Sequence, residues 1–214
     1  MCESISILAD AAELTEKFGL DNILFYVSNR YDIRPTQSIP AIVVRERQRQ
    51  LDEFRWGLMP FWARNAVCMD SDSIPDQRIY RRMFGKQRCV IPCSAFYVSK
   101  TVGRHSQWVR IAMRAGTFGI AGLYDVWSSP SGEELRTCTM LMTASNPEVA
   151  AHHDRMPAIL EDGEVEQWLQ PELRDPVALH KLLRPADGSR MSFQLLDSHK
   201  DKFAPQHDPE PAYS

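Results

Sequence analysis

Cys89-Val-Ile-Pro92, Ala95-Phe-Tyr-Val98, Gln107-Trp-Val-Arg-Ile-Ala-Met113, Phe118-Gly-Ile-Ala-Gly-Leu-Tyr124 and Thr137-Cys-Thr-Met-Leu-Met-Thr-Ala144 together decide the fold. Each is a short run rich in apolar, β-branched or aromatic residues, and Gly, Ser or Pro punctuates the intervals. Strands of this length and spacing predict an antiparallel sheet or barrel. Upstream, Pro40 to Arg45 reads as another strand, while 30–37 is turn-like and 47–52 a hydrophilic turn. Helical spacing appears in Asp10 to Phe18, where Gly19 ends the pattern, and in Asp76 to Gln87. It returns after Asn146-Pro147, in Glu164 to Leu169 and in Pro176 to Leu183, with Ala158-Ile-Leu as a further strand. Neither an internal repeat nor a linker divides the chain. The expectation is one α+β domain, an antiparallel β-barrel-like sheet with flanking helices over 1–199, and a loosely held tail from 200 to 214.

With 214 residues, 43% hydrophobic and 25% charged, the chain can bury a substantial core. No apolar run is long enough for a membrane span and no signal peptide precedes the first strand, so a cytoplasmic location is expected. The five cysteines, at 2, 68, 89, 93 and 138, form no disulfide framework. Cys89 and Cys93 lack a second Cys/His pair, so neither a metal nor a cofactor is expected. The net charge of −3 hides an asymmetry: residues 77–124 carry nine Lys/Arg and no Asp or Glu. Such a run is either a positive field for phosphates or a surface balanced in space by acidic segments. Phe54-Arg-Trp-Gly-Leu-Met-Pro-Phe-Trp62, broken by Gly57 and Pro60, does not fit one clean strand, so some rings are expected to project from a loop. There they could stack on bases; the alternative is core packing.

Met1-Cys2 carries a different chemistry. Removal of Met1 leaves an α-amine and a thiol on one residue, with reference pKa values of roughly 7.7–8.0 and about 8.5. An amine condenses with an aldehyde to an imine, and an adjacent thiolate closes on it as a thiazolidine. A cysteine can also follow the first Met by accident of sequence.

Taken in order, Met1-Cys2, Arg30-Tyr-Asp-Ile-Arg-Pro-Thr-Gln37, Trp56-Gly-Leu-Met-Pro-Phe-Trp62, Arg88-Cys-Val-Ile-Pro92 with Phe96-Tyr97, Ala121-Gly-Leu-Tyr-Asp-Val-Trp127, and Thr143-Ala-Ser-Asn-Pro147 leading to His153-Asp-Arg-Met-Pro157 resemble the SOS-response-associated peptidase (SRAP) domain family. The resemblance implies a mixed α+β barrel, binding of single-stranded DNA, loss of Met1, possible by autoproteolysis, and covalent capture of abasic sites by Cys2. It implies His153 as the acid or base at the sugar oxygen, a role that an imidazole suits. DNA-contacting candidates are Arg30, Trp56, Phe61, Trp62, Arg78, Arg81 and Arg82. Departures from the family pattern are equally specific. Glu3-Ser4 replace the Gly-Arg that usually follows Cys2; Cys68, Asp70 and Asp72 stand where the family has Asn, Arg and Glu; and Val98 replaces a second Glu. Two further readings use the same residues: a non-catalytic protein that binds single-stranded nucleic acid, and a thiol hydrolase or peptidase built on Cys2 and His153.

Overall fold

The structure, a computed structural model, describes residues 3–59, 66–76, 78–102, 105–197 and 201. The chain opens with strand β1 (Ser4–Ile7) and helix α1 (Ala11–Phe18), followed by β2 (Asn22–Ile23), β3 (Arg30–Ile33), β4 (Ser38–Arg45), β5 (Gln48–Trp56) and β6 (Cys68–Asp70). A 3₁₀ turn, Ser71–Asp76, leads to α2 (Arg78–Lys86). Four long antiparallel-paired strands and their neighbour come next: β7 (Arg88–Cys93), β8 (Ala95–Val102), β9 (His105–Met113), β10 (Phe118–Ser128) and β11 (Glu134–Ala144). The remainder is α3 (Pro147–Ala150), β12 (Arg155–Pro157), β13 (Ile159–Leu160), α4 (Asp162–Leu169), α5 (Pro176–Lys181) and β14 (Met191–Leu196). Among the described residues no helix is long and apolar enough to cross a membrane.

The expected barrel is present, and its seam is parallel. Hydrogen bonding runs β11-β10-β7-β4-β5 through antiparallel neighbours, and β5 then returns to β11 in parallel, Thr137 opposite Arg55 and Cys138 opposite Trp56. β6 adds a second parallel pairing to β11. A separate antiparallel sheet has the order β14-β9-β8-β1-β3. The first and last strands of the chain, β1 and β14, have no clear signal in the sequence, and 30–37 begins as strand β3 before it turns.

Alternation along the barrel strands separates two cores. Ala41 and Val43, Ile91, Ile120 and Met140 face an inner cluster that continues onto Ile5, Phe96, Val98 and Ile111 of the second sheet. The intervening Ile42, Val90, Ala121 and Leu141 face outward, where Leu14 and Phe18 of α1, Phe84 of α2, Trp168 of α4 and Leu179 of α5 cover them. Strands buried on both faces read as nearly continuous apolar runs, which is how Ala-Ile-Val-Val at 41–44 looks in the sequence.

Local signals fix the ends of these elements. Asp10 caps α1 by accepting from the Glu13 N–H at 2.9 Å, and Gly19 ends it with φ of 60°. The turn expected over 47–52 is much shorter: Glu46 and Arg47, at φ of 51° and 65°, join β4 to β5 with Arg45 opposite Gln48. Residues 48–52 are already strand. β5 then runs through Phe54-Arg55-Trp56 and stops at Gly57, whose φ is 133°.

Candidate functional site

The second sheet brings the start of the chain to the His153 turn. The Glu3 N–H donates to the Tyr97 carbonyl at 3.1 Å, Ser4 pairs with Tyr97, and the Ser99 hydroxyl donates to the Glu3 carboxylate. Lys100, the next residue of β8, donates from Nζ to the Ala151 carbonyl at 3.1 Å. The strand that anchors Glu3 therefore also holds the turn carrying His153. Cys2 lies outside the described residues.

That turn is fixed from several sides. Asn146 caps α3 through its side-chain oxygen, which accepts from the Val149 N–H at 2.8 Å, and its amide donates to the Ala186 carbonyl at 2.8 Å. The Val149 carbonyl accepts from the N–H groups of both His152 and His153 at 2.9 Å, and the β11–β12 pairing sets Ala144 opposite Arg155. Nδ1 of His153 accepts from the Arg155 N–H at 3.0 Å, with the Arg155 carbonyl and the Asp154 carboxylate each also 3.0 Å away. With its proton on Nε2 the neutral ring accepts from the Arg155 N–H, whereas an Nδ1–H, in the other neutral tautomer or in the cation, donates to the carbonyl or the carboxylate. Either form is oriented through Nδ1, and the side chain stays 23% exposed.

The departures from the family pattern take distinct structural forms. Val98 is 1% exposed in the inner core opposite Val109, and Cys68 is 6% exposed in the same core. Neither supplies a carboxylate or an amide. Asp70 and Asp72 grip Arg155 instead: Asp70 accepts from Nη2, and Asp72 lies 3.4 Å from Nη1. Arg155 Nη2 also donates to the Met142 carbonyl at 3.3 Å, and His180 Nε2 sits 3.5 Å from the other Asp72 oxygen. A basic position of the family pattern has become an acidic one that neutralises a neighbouring arginine. Arg155 stood inside the His153-to-Pro157 motif, but its partners are distant in sequence and only folding reveals them.

The expected nucleic-acid contacts are divided. Trp56 is a correction: it is 0% exposed, and its Nε1 donates to the Val67 carbonyl at 2.9 Å, so no ring face remains for a base. Its loop was inferred from Gly57 and Pro60, but the ring belongs to the strand before the break. Phe61 and Trp62 lie outside the described residues. Arg30 donates to the Ser38 carbonyl at 2.5 Å beside a cleft lined by Tyr26 and Glu53. Arg78, Arg81 and Arg82 are exposed on α2, and Arg81 faces a cleft against α5.

Arg88, also within the basic run, is 6% exposed and donates to the carbonyls of Phe84, Trp168, Gln170 and Leu173. Burial, with a smaller push from Arg174, lowers its pKa to about 10, and its guanidinium lies 5.7 Å from the Trp168 ring. Its charge ties α2 and α4 together and adds nothing to a surface field. Cys89, Cys93 and Cys138 are buried thiols; burial raises the pKa of Cys89 and Cys138.

The fold and this site first define a class: α+β proteins with a small barrel closed by a parallel seam, joined to a second sheet that brings the first strand to a histidine-bearing turn. Solved proteins share that architecture. One from Bacteroides thetaiotaomicron superposes with a TM-score of 0.80 over 97% of both chains at 24% identity. Another from Bordetella bronchiseptica gives 0.78, covering 92% of this chain and all of that one at 22% identity. The chain belongs to the SOS response associated peptidase (SRAP) family, whose model matches residues 1–199. Among its relatives, the abasic site processing protein YoqW of Bacillus subtilis is 31% identical over 210 residues, 92% of this chain and 93% of the relative. The abasic site processing protein HMCES of Gallus gallus is 28% identical over 198 residues, 73% of this chain and 58% of that protein.

Proposed function

We propose that this chain processes abasic sites in single-stranded DNA by capturing the sugar aldehyde on Cys2 after Met1 is removed. The observation that carries the reading is the link from Glu3 through Ser99 and Lys100 to Ala151, which ties the residue next to Cys2 to the turn bearing His153. The names of the relatives at 31% and 28% identity supply the substrate class. The Cys2 amine adds to the open aldehyde and loses water to form an imine. The thiolate then attacks the imine carbon, the nitrogen takes a proton, and a thiazolidine links protein to DNA. His153 serves as the proton donor for ring opening and as the acceptor in reverse.

General acid–base groups typically contribute about 10²–10⁴-fold, so Val98 and Cys68 in place of Glu and Asn leave a slower reaction on the same nucleophile. These two apolar positions also favour a second reading, a protein that binds single strands without capturing them. An oligonucleotide with one abasic site, incubated with the protein and run under denaturing conditions, separates the two. Capture gives a shifted band that Cys2→Ala abolishes and His153→Ala slows; binding without any band leaves the second reading. Intact mass offers an independent check, because a retained Met1 blocks the amine and sinks the thiazolidine route.

A further inference from the structure

Between α2 and α5 lies a cleft of about 440 Å³, within the ~300–1,000 Å³ typical of small-molecule sites. Its floor and wall are apolar: Ile74 and Phe84 are 2% and 4% exposed, and Pro176 and Val177 close it on the α5 side, with Val177 64% exposed. The rim is basic, formed by Arg81, His180 and Lys181. Neither Arg81 nor Lys181 pairs with a carboxylate among the described residues, whereas His180 reaches Asp72 at 3.5 Å. Asp72 in turn contacts Arg155, two residues beyond His153, so the cleft adjoins the proposed capture site through one chain of ion pairs.

An exposed apolar wall under a basic rim fits one chemistry better than others: a flat apolar ring attached to an anion. A nucleotide of a single strand is such a group, since its unstacked base needs a surface and its phosphate needs a cation. With Trp56 in the core, the aromatic segment upstream cannot supply that surface through Trp56.

We infer that the α2–α5 cleft is a nucleotide subsite, which takes a base next to the abasic position on Pro176 and Val177, above the buried floor of Ile74 and Phe84, and the adjoining phosphate on Arg81 and Lys181. This inference rests on the proposed function and extends it to an intact nucleotide beside the lesion.

Fluorescence anisotropy tests it with the full chain and two labelled single strands of equal length, one carrying bases throughout and one made of base-free tetrahydrofuran units. Wild-type protein should prefer the strand with bases. Val177→Asn should weaken binding of that strand by about fivefold and leave the base-free strand unchanged. Lys181→Ala should weaken both and reduce the salt slope by about 0.7. Both positions are on an exposed helix, and matching melting midpoints exclude misfolding as the cause. Unchanged affinity in both variants overturns the subsite and leaves the cleft to an acidic amphipathic peptide; equal losses on both strands for Val177→Asn overturn the base contact. Capture is read separately. A wild-type protein that prefers bases yet forms no adduct loses the abasic reading and keeps the subsite, whereas adduct formation with unaltered variants removes the subsite alone.

Discussion

Arg88 and Arg155 show how little a charge in a sequence says about its task. Arg88 donates to four carbonyls in a nearly closed setting, so Arg88→Met should leave those acceptors unpaired and destabilise the fold by about 3 kcal/mol in urea unfolding. Lysine cannot fork to the same carbonyls, and Arg88→Lys should recover only part of the loss. Arg155 is half-buried and held by Asp70 and Asp72. Replacing both with Asn keeps the side-chain shapes and releases the guanidinium. The double variant should therefore bind single-stranded DNA about fivefold more tightly at low salt, with the gain shrinking as salt rises. Identical binding curves for the two proteins would place Arg155 away from the DNA path. Apart from Phe84, four residues before Arg88, the partners of these arginines could not be found by spacing: Trp168 and Asp70 lie 80 and 85 residues away from them.

At the scale of elements, the barrel depends on close strand approach and on a short hairpin. A Cβ on Gly122 would meet the Thr139 carbonyl oxygen at 2.8 Å and Cys89 Sγ at 2.9 Å. Since the nearer atom is backbone, Gly122→Ala should force β10 away from β11 and cost about 2 kcal/mol, measurable by chemical denaturation. The β4–β5 turn is strained in the opposite sense, with two non-glycine residues at positive φ. Glu46→Asn with Arg47→Gly supplies the residues this turn prefers and should stabilise the protein by about 1 kcal/mol. A lower melting midpoint for that variant would show that the Glu46 or Arg47 side chain has a role the turn geometry does not express. The strand and helix centres were legible because alternation and 3.6-residue spacing are local. β6 and the Trp56 end of β5 were not, because β6 is a strand through its pairing with β11 and Trp56 is held between β11 and residues 36–37.

For the whole molecule, the cysteines report on folding and on the proposed nucleophile together. Burial raises the pKa of Cys89 and Cys138 above the ordinary value of about 8.5. Below that value both thiols are protonated in folded and unfolded chains alike. Above it only the unfolded chain releases the protons, so stability should fall as pH rises beyond about 8.5, by roughly 1 kcal/mol per pH unit for each thiol until the folded thiols themselves ionise. Urea titrations under reducing conditions across that range give the slope, and Cys138→Ala should reduce it. At neutral pH an alkylating reagent should spare Cys68, Cys89, Cys93 and Cys138, all buried, and modify them only after unfolding. Native labelling at Cys2 alone would match its proposed role. The basic run over 77–124 also resolves only at this scale: Arg88 turns inward, Lys100 binds a turn, and Arg78, Arg81 and Arg82 remain on the surface.

By itself the sequence determined the α+β class, most strands and helices, and the ordered motifs that resemble the SRAP family, since each depends on neighbours a few residues apart. Tertiary structure decided the parallel seam of the barrel, the burial of Trp56 and Arg88, the Asp70–Arg155–Asp72 cluster and the link from Glu3 to the His153 turn. Those features join residues far apart in the chain, and whether a ring packs or a charge faces solvent is set by what the rest of the molecule brings against it.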